Sequence, residues 1–210
     1  MTIKLKVCGM KVPDNILAVA ALKPDYIGFI FYRQSKRFID GLTPSFVKDL
    51  PAEIKKTGVF VNEELNKVAE IALLYGLDAV QLHGTEPVKY CMALKGLLVD
   101  TGIEIIKAFG VNEAFDFAKL GAYVGSVDYF LFDTHTPDHG GSGNTFNWGL
   151  LDNYRLDKPY FLSGGIGTES ISALRTVNDA RLYAIDVNSK FELTPGLKDI
   201  DRLIDFKIQL

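Results

Sequence analysis

The sequence predicts an α/β protein, a single-domain (β/α)8 TIM barrel over residues 1–210, and three observations predict it. Short apolar, β-branched or aromatic runs recur at residues 3–8, 26–31, 57–61, 79–82, 104–108, 128–132, 159–162 and 183–187. Segments with helix signals lie between them, and each parallel strand needs such a crossover to return to the same end of a sheet. Several runs are continuously apolar rather than alternating, as expected when helices or a barrel interior cover both faces. An open doubly wound sheet is the competing arrangement, but a Gly-x-Gly-x-x-Gly signature is missing after the first run.

In the first run Ile3, Leu5 and Val7 alternate with Lys4 and Lys6, and the strand delivers Cys8 onto a turn at Gly9. Thr43-Pro44 opens a helix that buries Phe46, Val47 and Leu50, with threonine as N-cap and proline at the first helical position. Asn62-Glu63-Glu64 opens another, burying Leu65, Val68, Ala69 and Ala72, and Gly76 stops it. Asp14, Thr85, Asn112, Thr168 and Thr194 are the remaining predicted starts, and the segment after Asn147 is short.

A net charge of -3 without a run of like charges leaves no footprint for nucleic acid and no basic face for a membrane surface. The longest apolar stretch, residues 16–22, falls far short of the ~20 residues that span a bilayer. The expected partner is a small molecule, the expected location the cytoplasm, and the expected state a monomer or homodimer. Two cysteines, Cys8 and Cys91, fit a reducing compartment, and Cys91 reads as packing.

In a barrel of this type, reactive groups gather at the C-terminal ends of the strands. Cys8 ends the first; by itself such a cysteine is usually a small buried hydrophobe. Asp133 emerges from the apolar run Tyr129-Phe130-Leu131-Phe132, which suits a proton donor, although a cap or loop acceptor fits equally well. Together the two offer one group that takes a proton and one that gives it. Ser163-Gly164-Gly165 and Ser189 follow the seventh and eighth runs, where such barrels frequently bind phosphate; the bland alternative is a pair of tight turns. Arg37 is either a carboxylate clamp or a solvated charge, and His83 either orients a substrate or is structural. The three histidines have no metal-ligand spacing, and no metal is expected. The stretch from Asp133 to Asn147, with His135, His139 and Gly140-Gly141-Ser142-Gly143, is long enough for a lid.

These residues resemble the phosphoribosylanthranilate isomerase family. The likeness is carried by Lys6-Val7-Cys8-Gly9, Gly28-Phe29-Ile30-Phe31-Tyr32, Ser35-Lys36-Arg37, Gly58-Val59-Phe60-Val61-Asn62 and Val80-Gln81-Leu82-His83-Gly84. Further on come Phe132-Asp133-Thr134, Gly140-Gly141-Ser142-Gly143, Phe146-Asn147-Trp148, Leu162-Ser163-Gly164-Gly165 and Pro195-Gly196-Leu197-Lys198-Asp199. The resemblance implies a cofactor-free Amadori rearrangement of a phosphorylated substrate in tryptophan biosynthesis. It implies Asp133 as general acid and Cys8 as general base, and Arg37 on the anthranilate carboxylate. It further implies Gly164, Gly165 and Ser189 on the phosphate, and His83 and Asp186 lining the pocket. One departure stands out: the family's eighth strand typically continues into Ser-Ser-Gly, whereas this chain has Asn188-Ser189-Lys190. Loss of that glycine bears on a left-handed backbone position, while a lysine there can assist phosphate binding.

Two other readings compete. Lys107, within an apolar run, could form a Schiff base as aldolases do, and the barrel could bind a sugar phosphate without catalysis. A related histidine-pathway isomerase would need aspartates at strands one and five, where this chain has Cys8 and Ala108-Phe109-Gly110. Indole-glycerol-phosphate synthase would need a lysine at the end of strand three, which reads Val59-Phe60-Val61-Asn62.

Overall fold

The computed structural model describes residues 3–134 and 146–210. Eight parallel strands close on themselves: β1 (Lys4–Val7), β2 (Tyr26–Ile30), β3 (Lys55–Phe60), β4 (Ala79–Leu82), β5 (Glu104–Val111), β6 (Tyr129–Thr134), β7 (Tyr160–Leu162) and β8 (Leu182–Val187). Closure comes from β8 pairing with β1, which sets Lys6 beside Asp186 and Val7 beside Val187. The barrel expectation holds.

The crossovers are α1 (Pro13–Ala21), α2 (Pro44–Lys48), α3 (Leu65–Tyr75) and α4 (Val88–Leu97), then 3₁₀ segments at Phe117–Tyr123 and Trp148–Asn153. After β7 come a 3₁₀ turn, Thr168–Ser170, and α5 (Ile171–Leu174). A 3₁₀ turn, Ser189–Phe191, and a small antiparallel hairpin, β9 (Glu192–Thr194) and β10 (Leu197–Lys198), precede α6 (Ile200–Gln209).

Local chemistry explains most boundaries. Thr43 caps α2 by accepting a hydrogen bond from the Phe46 N–H, and Gly76 stops α3 in the left-handed conformation, φ 59°. Other starts differ from expectation. Thr194 opens no helix; it ends β9, and α6 is capped by Asp199, whose carboxylate accepts from the Arg202 N–H. Asp14 lies inside the first turn of α1, behind Pro13, and Asn112 is followed by a turn before Asp116 caps the 3₁₀ segment. Asn62 caps nothing on α3: its side chain accepts from the Thr85 N–H, tying the β3 and β4 loops together. Thr85 in turn stands before the true N-cap of α4, Pro87, and Thr168 lies one residue inside its turn.

Two apolar clusters result. The larger fills the space between strands and helices and contains Leu5 and Val7 with Ile16 and Val19 of α1. The smaller lies in the lumen and draws one or two side chains from each of six strands, β2 and β4 to β8: Tyr26, Ala79, Ile106, Ala108, Leu131, Phe161 and Ala184. On β1 the apolar residues therefore face the helices, and the alternate set, Lys4, Lys6 and Cys8, faces inward. No helix among the described residues is long and apolar enough to cross a membrane.

Candidate active site

Above the apolar layer, the lumen turns polar. Lys6 and Asp186, adjacent on β1 and β8, form an ion pair of 2.9 Å with side chains 0% and 4% exposed. Burial opposes the Lys6 charge, but Asp186 and the neighbouring Cys8 outweigh it and hold the ammonium protonated. The second oxygen of Asp186, Oδ1, is buried with no hydrogen-bond partner among the described residues.

Cys8 sits one step above Lys6, its N–H donating to the Val187 carbonyl at 2.9 Å. Gly28 on β2 leaves it room: a Cβ there would stand 2.7 Å from the Cys8 Sγ. Burial pushes the Cys8 thiol up, Lys6 and Lys198 pull it down, and Asp186 adds to the rise.

Arg37 does not reach freely into the mouth. Its Nε donates to Oε1 and Oε2 of Glu192 at 2.8 and 3.0 Å, and its Nη2 to Oε2 at 2.6 Å. Lys198, with a fully buried side chain, holds the same carboxylate at 2.8 Å and the Asn188 Oδ1 at 2.7 Å. Glu192 is thus shared by two cations, which pull its carboxyl down although burial acts the other way. Neither Glu192 nor Lys198 stood out as a site residue in the sequence; the paired charges lie 155 positions from Arg37 in one case, beyond any local pattern.

Across the mouth, Asp133 is the last residue but one of β6. Its Oδ1 accepts from the Thr134 N–H at 2.8 Å and its Oδ2 lies 3.2 Å from Nε2 of His83. His83 is held from behind by Gln81, 2.7 Å from Nδ1. Burial pushes the Asp186 carboxyl up and Lys6 opposes it; more weakly, Asp133 adds to the rise and His83 acts against it. Asp133 and His83 also line a cavity of about 350 Å³ with Lys107, Phe109, Phe115 and Tyr123. A larger groove of about 1320 Å³ runs between residues 146–155 and 169–181 and has Gly165 and Lys190 in its lining, but neither Cys8 nor Asp133.

Gly164 and Gly165 follow β7 with φ 93° and 63°, left-handed conformations that disfavour other residues. A Cβ on Gly164 would stand 2.5 Å from the Thr134 backbone nitrogen and 2.8 Å from the Asp133 Oδ1, so this glycine also lets β6 and β7 approach at the acid. Ser189 opens the 3₁₀ turn after β8. Lys190 is absent from the non-glycine residues with positive φ, so its position demands no glycine, and its ammonium pairs with Glu169 at 3.1 Å.

Lys107 is a poor nucleophile in this setting. Its Nζ is 3.1 Å from the buried Glu86 carboxylate and within 2.8–3.3 Å of the carbonyls of Gly84, Ala108 and Leu82. With Nζ enclosed by these four acceptors, the nitrogen has no open side for the carbonyl carbon that Schiff-base formation requires. Among the described residues no group of three or more His, Cys, Asp or Glu could hold a metal ion. His135, His139 and the Gly140–Gly143 stretch lie outside the described residues, and with them the lid expectation.

Acidic and basic groups facing one another over the C-terminal end of a closed eight-stranded barrel define an enzyme that works by moving protons. A family model described as N-(5'phosphoribosyl)anthranilate (PRA) isomerase matches residues 5–208, and the chain belongs to that family. It is 46% identical over 209 residues to the N-(5'-phosphoribosyl)anthranilate isomerase of Parabacteroides distasonis, covering 98% of this chain and 92% of that one. The crystal structure of phosphoribosyl anthranilate isomerase from Thermotoga maritima superposes with a TM-score of 0.83 at 36% identity, covering 99% and 98% of the two chains. Another isomerase structure, in complex with reduced 1-(o-carboxyphenylamino)-1-deoxyribulose 5-phosphate, gives 0.80 at 33% identity over 98% and 96%.

Proposed function

We propose that the protein converts N-(5'-phosphoribosyl)anthranilate to 1-(2-carboxyphenylamino)-1-deoxyribulose 5-phosphate, the third step from chorismate in tryptophan biosynthesis, with Asp133 as general acid and Cys8 as general base. Asp133 gives its proton to the ribose ring oxygen as the C1'–O bond breaks, leaving an open-chain iminium. Cys8, as thiolate, then takes the proton from C2'; the electron pair moves toward the iminium and gives an enolamine, which tautomerises to the ketone. C1' is reduced and C2' oxidised within one molecule, so the balance closes without an external oxidant or cofactor.

The observation that carries this reading is the placement of Cys8, directly after β1, and Asp133, near the end of β6, at the C-terminal mouth of one closed barrel. Family membership supplies the substrate. Gly164, Gly165 and Ser189 are assigned to the phosphate, and Arg37 to the anthranilate carboxylate, with Glu192 fixing its orientation. His83 and Asp186 line the pocket. The location that fits is the cytoplasm, where both cysteines stay free thiols.

The test is turnover of phosphoribosylanthranilate by the purified protein, beside Cys8→Ala and Asp133→Ala. Each variant is expected to lose at least about 100-fold in kcat, the typical worth of a positioned acid or base. Undiminished turnover in either overturns the role given to that residue.

A further inference from the structure

Gln81 has no place in the mechanism above, yet it is the side chain nearest the acid's support. It lies on β4 two residues before His83, on the same face of the strand, and is 1% exposed. Its Nε2 is 2.7 Å from Nδ1 of His83, while its Oε1 is buried without a partner among the described residues. With the amide nitrogen turned toward the ring, Nδ1 accepts and the ring proton sits on Nε2, which faces Asp133 Oδ2 at 3.2 Å.

We propose that Gln81 is a positioning residue: its amide holds His83 neutral in the Nε2–H tautomer, which leaves Asp133 able to carry and deliver a proton. The inference rests on the acid role proposed for Asp133. The groups facing His83 make the need clear: Asp133 from β6, Asp186 from β8, and the Glu86–Lys107 pair, itself closed at 3.1 Å, in the adjoining cavity. Two carboxylates invite the ring to become imidazolium. Protonation of Nδ1 would require the Gln81 amide to turn over and present Oε1 in place of its NH₂. An imidazolium would lock Asp133 as a permanently ion-paired carboxylate and remove the acid. A neutral Nε2–H instead strengthens its bond to Asp133 as the carboxylate forms, so it favours release of the proton.

The tautomer is directly observable. The chain has three histidines, so ¹⁵N spectra of histidine-labelled protein, assigned with His83→Asn, report both ring nitrogens of His83. The expected result at pH 7 is an unprotonated Nδ1 and a protonated Nε2. In Gln81→Glu a carboxylate would accept from Nδ1–H; the His83 titration should rise by at least about one pH unit and kcat fall about 100-fold with KM little changed. Wild-type His83 found as the Nδ1–H tautomer or as imidazolium overturns the proposal. So does a Gln81→Glu protein whose His83 titration and pH profile of kcat match the wild type. The spectra need no turnover, so they are read separately from the Cys8 and Asp133 variants that test the reaction itself.

Discussion

Replacing Lys6 by methionine removes the cation of the Lys6–Asp186 pair while keeping most of the side chain's volume. The two groups stand 2.9 Å apart with side chains 0% and 4% exposed, so water cannot take over from either partner. At an effective dielectric of about 20 that separation corresponds to a gross attraction of ~6 kcal/mol. Removing one member of such a pair costs about 3–5 kcal/mol, because the other charge is left buried alone. For a domain of this size each kcal/mol moves Tm by about 2–4 °C, giving an expected drop of about 6–20 °C. The pH dependence has a definite sign. Burial already raises the Asp186 carboxyl and Lys6 is the first of the groups that lower it, so the substitution raises it further. A folded carboxyl raised above its unfolded value of ~3.9 destabilises increasingly as pH rises past that value. The gap between variant and wild type should therefore be small near pH 4 and wide at pH 8. Urea melts at both pH values measure it, and Lys6→Met/Asp186→Leu, which leaves no buried charge, should recover most of the loss. A single variant within 1 kcal/mol of wild type at pH 8, or a gap that narrows as pH rises, would refute the reasoning.

Two further perturbations act on the proposed base and the proposed clamp. Gly28→Ala puts a methyl 2.7 Å from the Cys8 Sγ and 3.1 Å from its Cα; displacing the thiol should lower kcat about 100-fold, checked by steady-state kinetics beside a thermal melt. Unchanged kcat would show that the exact seat of the thiol is immaterial. Glu192→Gln leaves Arg37 and Lys198 with a neutral acceptor in place of the charge they share, and is expected to raise KM about tenfold, a loss of ~1.4 kcal/mol. A KM equal to wild type would deny Glu192 its orienting part.

The strands were legible because β-branched and aromatic runs are local signals: 79–82 matches β4 residue for residue, and the others differ by a few positions. The ends of those strands then pointed to Cys8, Asp133 and the glycines through one geometric rule. What stayed hidden is nonlocal. The alternation in β1 looks like apolar residues facing a core and lysines facing water. Closure of the barrel gives the lysine face to the lumen, where Lys6 meets Asp186, 180 residues away. Arg37 and Glu192 meet in the same way, and no spacing in the chain announces either contact. Thr194 misled for a related reason: a good capping residue was spent on a hairpin whose second strand carries Lys198 into the site.

The two halves of the site treat charge in opposite ways, and the proposed order of steps follows from that. Around Cys8 stand Lys6, Lys198 and Arg37, countered by the carboxylates of Asp186 and Glu192, so this side has one uncompensated positive charge that a thiolate would neutralise. Burial opposes that thiolate and keeps the thiol raised. Around Asp133 there is no such excess: the direct partners are a backbone N–H and the His83 imidazole, neutral in the tautomer proposed above. Proton delivery from Asp133 creates an iminium in the lumen. That new cation both acidifies the C2' hydrogen and draws down the neighbouring thiol, since an adjacent positive charge favours the ionised form. Acid chemistry thus has to come first, because it produces the charge on which the base depends. A stable cationic mimic of the iminium should accordingly speed Cys8 alkylation at pH 7 wherever it leaves the thiol accessible, and a neutral mimic of the same shape should not.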